Sequence, residues 1–269
     1  VTAPAPAAAE PAAPAAAEPV AAAASEGPGT AAYHEWKNQN RDQPEGWQTV
    51  TSFLTGHSGT ETREAAADQP GLGLLVTPET NSYLNKNRNP QAYSHIVLDN
   101  GVYGKKPFSR DMLIKLIEKA AANPEVASRV LFVVAPDVIG DPVATLEKST
   151  KWFNLIRKNG FRIAYAAQDG AEKDLDSIPW DEFDVLFIGG STSWKIGFNP
   201  IEGNPATPTQ AQLDKAGINR EWMEMMKEAT RRGKQIHMGR VNSAKRFAIA
   251  NATRVDSVDG NFIGRGPKS

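Results

Sequence analysis

Asp99, Asp137 and Asp256 share a setting: each stands just beyond apolar residues. The run Ile96–Leu98 leads into Asp99-Asn-Gly101, Val130–Val134 leads into Ala135-Pro-Asp137, and Val255 precedes Asp256. Carboxylates gathered in one cleft suit proton transfer and nucleophilic attack, because one can stay ionised while another carries a proton. Other apolar runs end in groups suited to recognition. Ile163–Ala167 is followed by Gln168-Asp-Gly170 and Val185–Ile188 by Gly189-Gly190; Gln235–Met238 contains His237 and leads into Gly239-Arg240. An amide side chain and glycine backbone groups fit a planar ligand with a hydrogen-bonding edge. Singly, each position has a plain structural reading. Asp99 can cap its own turn, Gly189-Gly190 can be a tight bend, and a histidine within a strand is more often a satisfied core residue. Asp141-Pro142 reads as a helix start rather than a catalytic group, and Asp259-Gly260 as a turn pair.

These residues need elements that bring them together. Leu72–Val76, Ile96–Leu98, Val130–Val134, Ile163–Ala167, Val185–Ile188 and Gln235–Met238 are continuous apolar runs, the pattern of strands buried on both faces. Between them lie helical patterns. One is capped by Ser109 and carries Met112, Leu113, Leu116 and Ile117; one opens at Asp141-Pro142 and stops near Gly160; two more cover about 219–232 and Ser243 to about Asn251. Strand–helix alternation repeated about seven times predicts an α/β protein with a parallel sheet. Polar clusters after nearly every strand favour a TIM-type (β/α)8-like barrel, whose chemistry collects at the strands' C-terminal ends. The eighth strand is unassigned: residues 33–69, with Trp36, Trp47 and Phe53 as anchors, either supply it or leave the barrel incomplete.

The succession Leu98-Asp-Asn-Gly101, Pro136-Asp137, Ala167-Gln-Asp-Gly170, Ile188-Gly-Gly190, His237-Met-Gly-Arg240 and Val255-Asp-Ser-Val-Asp259 resembles that of the tRNA-guanine transglycosylases (queuine tRNA-ribosyltransferases), over roughly residues 71–263. The resemblance implies a base-exchanging glycosyltransferase. Asp256 would be the nucleophile that forms a covalent glycosyl-enzyme, and Asp99 the general acid/base. Asp137 would accept hydrogen bonds from the guanine ring N–H and amine. Gln168 and the backbone N–H of Gly190 would donate to the base carbonyl, with Gly189, His237 and Gly239 completing the base site. No cofactor or metal is expected. Arg240, Lys195, Lys245 and Arg246 follow strand ends and are the expected phosphate contacts.

Departures from the family pattern narrow the expectation. The chain has no cysteine and ends ten residues after Asp259, so the zinc-binding element of the tRNA enzymes is not expected. The early motif reads Asp99-Asn-Gly-Val rather than Asp-Ser-Gly-Gly, and the amide turn Gln168-Asp-Gly rather than Gln-Gly-Gly. These features look more like the DNA-modifying relatives of phages and bacterial genomic islands, which insert 7-deazaguanine derivatives into DNA. The expected partners are therefore DNA, with tRNA as the alternative, and a free guanine or 7-deazaguanine base. A non-catalytic base-binding barrel or accessory subunit is the rival from another class.

Composition sets the outer limits. Residues 1–32 are almost all Ala, Pro and Glu and contain nothing large to bury, so they read as a disordered linker before a catalytic domain over 33–269. The initial Val points to a fragment or a processed product. The formal charge is −1, and +2 without that segment, which holds Glu10, Glu18 and Glu26 and no Lys or Arg. A nucleic-acid footprint must then be a local patch. Absence of cysteine excludes disulfides and thiol chemistry. No run is long enough to span a bilayer and no signal peptide is legible, so a cytoplasmic setting without membrane contact is expected.

Overall fold

A computed structural model describes residues 52–56, 58–104, 106–196, 211, 220–253 and 255–261. The Ala/Pro-rich segment 1–32 and the anchors Trp36 and Trp47 lie outside them. Eight parallel strands close into a barrel in sequence order: β1 (Ser52–Thr55), β2 (Leu72–Val76), β3 (Ile96–Leu98), β4 (Val130–Val134), β5 (Ile163–Ala167), β6 (Val185–Ile188), β7 (Gln235–Met238) and β8 (Ser257–Asp259). The chain is thus a TIM-type (β/α) barrel. The missing eighth strand is β1. It closes the ring by pairing Phe53 with Leu72 on one side and with Val258 on the other. The last strand starts two residues later than the sequence pattern suggests: Val255 and Asp256 precede β8.

Besides short 3-10 turns, the described residues include the α-helices α1 (Thr60–Asp68), α2 (Arg110–Ala121), α3 (Pro124–Ala127), α4 (Pro142–Lys158), α5 (Thr192–Ile196), α6 (Arg220–Arg231) and α7 (Ala244–Ala252). Their starts are chemically marked. Ser109, Asp141 and Ser243 each accept a hydrogen bond from a backbone N–H of the first turn, from Met112, Ala144 and Arg246 respectively. Each such cap stabilises by about 1 kcal/mol. Asp141 is therefore the cap its context predicts.

Two apolar layers result. Leu54, Val97, Leu131, Phe132, Val134, Ala164, Ala166, Val185 and Phe187 fill the barrel interior. The opposite faces of the strands pack against the helices, with Trp152, Phe153 and Ile156 of α4 and Trp222 and Met225 of α6 in that outer layer. Burial on both faces is why strands such as β3, β4, β5 and β6 read as unbroken apolar runs. Among the described residues, no helix is long and apolar enough to cross a membrane.

Candidate active site

Strand side chains alternate between the interior and the helix layer. Two residues beyond an interior residue, the next side chain on the same face stands at the rim. This step of two carries Leu54 to Gly56, Leu75 to Thr77, Val97 to Asp99, Ala166 to Gln168, Phe187 to Gly189, His237 to Gly239 and Ser257 to Asp259. Every rim member of those pairs lines one cavity of about 300 Å³ at the C-terminal end of the barrel. On β4 the step is three, from Val134 to Asp137, because Pro136 intervenes. Ser149 Oγ of α4 donates to the Pro136 carbonyl at 2.9 Å, and Lys148 Nζ donates to the Asp137 carbonyl at 2.8 Å. The helix after β4 thus holds that loop so that Asp137 faces the cavity.

Asp99, Asp137 and Asp259 meet in this cavity; Asp256 does not. Asp256 lies before β8, at the barrel's other end, where its Oδ2 accepts the Ile236 N–H at 2.7 Å. The expectation that Asp256 stands in the site is corrected: the carboxylate that β8 brings to the cavity is Asp259. Asp259 shares the inward face of Ser257, whereas Asp256 differs from it by an odd number of residues and falls on the other face. The turn-pair reading of Asp259-Gly260 does not hold: Asp259 ends β8, and Gly260 lies so close to the next segment that an added Cβ would meet the Val241 carbonyl oxygen at 2.5 Å.

Each carboxylate is held differently. Asp99 Oδ1 accepts the Gly101 N–H at 2.7 Å, in a turn that Gly101 completes with φ +72°. Removal from water, reinforced by the nearby charges of Asp259 and Asp137, pushes Asp99 from 3.8 up to about 7, although the Gly101 bond acts in the opposite direction. Asp137 is buried. It accepts Asn100 Nδ2 on Oδ1 at 2.8 Å and Gln168 Nε2 on Oδ2 at 2.7 Å. Burial also raises Asp137, while Asn100, Lys148 and Arg240 pull it back. Asp259 has its Oδ1 3.1 Å from His237 Nε2 and accepts the Arg240 N–H on Oδ2, also at 3.1 Å.

Several expected ligand contacts are internal instead. Gln168 gives its amide N–H groups to Asp137 and, at 3.4 Å, to the Ala166 carbonyl, while its Oε1 accepts the Gly140 N–H at 3.1 Å. It orients Asp137 rather than presenting a free donor. The Gly190 N–H is bonded to the Ala167 carbonyl at 3.2 Å, so it too is not offered to a ligand. Glycine is required at 190 because a Cβ would strike the Trp194 ring and the Asp169 carboxylate. Gly189 and Gly239 do line the cavity. His237 does not; it is fully buried below Asp259.

The expected phosphate contacts separate in the same way. Lys195 is buried, and its Nζ donates to the carbonyls of Gly189 (3.0 Å) and Gly239 (2.7 Å). Burial, with Arg240 next in importance, lowers it from 10.5 to about 7. It ties two strand ends together and is not a surface cation. Arg246 donates Nη1 to the Arg240 carbonyl at 2.9 Å. The side chain of Lys245 lies outside what the structure describes. Arg240 alone of the four lines the cavity. It adopts φ +60°, uncommon for a residue with a side chain, and its guanidinium lies 4.1 Å from the centroid of the Tyr103 ring while donating to the carbonyls of Gly189 and Gly190.

Asn100 and Tyr103 are among the cavity residues that sequence reasoning passed over. Asn100 was legible only as part of the Asp-Asn-Gly turn, since nothing in one sequence shows that its amide reaches Asp137, 37 residues away. Tyr103 is 63% exposed at the mouth, and an exposed aromatic beside such a turn is a usable signal.

No protein-family model matches the chain, and no curated protein matches it. Solved structures similar to it include a deoxyribose phosphate aldolase from Aeropyrum pernix and a putative fructose-1,6-biphosphate aldolase from Coccidioides immitis. The first has 15% identity and a TM-score of 0.49, over 80% of this chain and 86% of that one. The second has 11% identity and a TM-score of 0.49, over 87% and 79%. Likeness at this level carries no chemistry across.

Proposed function

We propose that the chain is a base-exchanging glycosyltransferase that replaces guanine in nucleic acid, DNA before tRNA, with a 7-deazaguanine derivative. One observation carries this: three carboxylates in three different environments surround one cavity at the C-terminal rim of the barrel. A cavity of about 300 Å³ admits a single planar base.

The roles follow from the environments. Asp259, held by two donors, is the nucleophile. An oxygen of its carboxylate attacks C1′ of the target nucleotide as the bond from C1′ to the base nitrogen breaks. The protonated Asp99 gives its proton to the departing base. In the second half, Asp99 takes the N–H proton of the incoming base, whose nitrogen attacks C1′ and releases Asp259. Two displacements on one carbon retain configuration, as in glycosidases with a carboxylate nucleophile. Burial raises Asp99 to about 7, which suits it to hold the proton that the departing base needs. Asp137 recognises the base. Its carboxylate accepts Asn100 and Gln168 and, with two lone pairs on each oxygen, has further acceptor capacity for the ring N–H and the exocyclic amine of guanine. A target base inside a duplex must first be flipped out, at a cost of about a few kcal/mol.

The test is incubation of the protein with labelled guanine and either duplex DNA or tRNA, followed by trapping of a covalent adduct. Label and adduct on DNA are expected. Asp259→Ala should lose both. Incorporation into tRNA alone would move the substrate to RNA. An abasic product without incorporation would mean a hydrolase, and base binding that survives Asp259→Ala with no adduct in the wild type would mean a binding protein.

A further inference from the structure

Beneath the cavity floor lies a polar chain that base exchange as described above does not use. His237, fully buried, faces into the barrel from β7 between two aromatic rings, with centroids 4.7 Å away for Phe187 and 5.3 Å for Phe132. Its Nδ1 is 2.8 Å from Ser257 Oγ, and its Nε2 is 3.1 Å from Asp259 Oδ1. The register explains the contacts. His237 pairs with Ser257 across the two parallel strands, and Asp259 is the next residue on the same face of β8. A carboxylate working as a nucleophile can only accept, so the proton between the two residues must sit on Nε2. In the neutral ring Nδ1 is then the acceptor, and the Ser257 hydroxyl donates to it. The order of donors runs from Ser257 through His237 to Asp259, and the buried surroundings give the ring no water to turn toward.

We infer that His237 is a positioning residue for Asp259, with Ser257 fixing its tautomer. The Nε2–H bond to Oδ1 and the Arg240 N–H bond to Oδ2 hold opposite ends of the carboxylate. They set the plane from which an oxygen approaches the anomeric carbon. The kinetic consequence rests on Asp259 being the nucleophile proposed above; the hydrogen-bond chain itself does not.

The experiment has two arms. In the first, the ring nitrogens are observed by NMR in protein carrying ¹⁵N-histidine, with His237 assigned by its loss in His237→Gln. A neutral ring protonated on Nε2 is expected, with a tautomer ratio that loosens in Ser257→Ala and a proton signal that moves in Asp259→Asn. A ring protonated on Nδ1, or one indifferent to both substitutions, overturns the inference. In the second arm, covalent-adduct formation is followed in a single turnover. His237→Phe keeps a flat aromatic ring and removes the donor, so the rate should fall by about 10- to 100-fold while guanine affinity is kept, as expected when a reacting group loses its alignment. His237→Gln restores an amide donor near the Nε2 position and should recover most of the rate. A packing role would reverse that order, with Phe tolerated and Gln not, and would sink the inference. If the wild type forms no adduct on either polymer, base exchange fails as a function, and the NMR arm still decides for or against the link between His237 and Asp259.

Discussion

At the scale of single residues, the decisive contrast lies between Asp256 and Asp259, three positions apart and at opposite ends of one short strand. Asp256→Asn keeps an oxygen that can accept the Ile236 N–H. It should leave adduct formation unchanged, because this carboxylate stands outside the cavity. Loss of the adduct in Asp256→Asn with retention in Asp259→Asn would reverse the assignment. Asp99 supplies a pH signature. Its folded value of about 7 lies above the ordinary 3.8, so between those values the folded protein holds a proton that the unfolded chain has released. Stability from this group is full below about pH 4 and is lost as pH rises through about 7. Asp99→Asn should flatten that fall in thermal melts recorded across the range. The first chemical step needs the same proton, so the single-turnover rate should decline above about pH 7. A rate that rises there would remove Asp99 from the role of acid.

At the scale of elements, what sequence shows depends on how local the cause is. The six apolar runs and the caps at Ser109, Asp141 and Ser243 were legible because burial on two faces and capping leave marks within a few residues. The closing strand over Ser52–Thr55 was not, because four residues carry little periodicity and their identity as a strand comes from partners at Leu72 and Val258. The site divided along the same line. Asp99, Asp137 and the glycine turns are marked by the strand that precedes each. The commitments of Gln168 to Asp137 and of Lys195 to two carbonyls depend on neighbours far along the chain. Lys195 shows what such a commitment does. Its folded value of about 7 lies below the ordinary 10.5, so between those values the unfolded chain binds a proton that the folded protein does not. Stability from this group therefore grows as pH rises from about 7 and is lost as pH falls through that value. Lys195→Met should abolish the slope and lower stability at pH 9, since the carbonyls of Gly189 and Gly239 lose their donor; each unsatisfied group costs about 1–3 kcal/mol. An unchanged slope would mean that the amine is not buried in solution.

At the scale of the whole molecule, the site exists only because the sheet closes. Asp259 and Asp99 stand on β8 and β3, and β1 and β2 lie between them in the ring. Without β1, the hydrogen-bonding edges of β2 and β8 lie open and Leu54 leaves the interior, where it packs with Val97, Phe132 and Phe187. An exposed parallel edge recruits other chains, and deleting a leucine side chain alone from a packed core costs about 2–5 kcal/mol. Two deletions separate the barrel from what precedes it. Removal of residues 1–32 takes away an Ala/Pro-rich segment with nothing large to bury and should leave the melting temperature and adduct formation as they are. Removal of residues 1–56 takes β1 with it and should yield protein that aggregates, with a broadened melt and no adduct. Leu54→Ala lies between them: a lower melting temperature, a cooperative transition and a retained adduct. If the 1–56 deletion melts sharply and still forms the adduct, Asp99 and Asp259 meet without ring closure, and the barrel is not what holds them together.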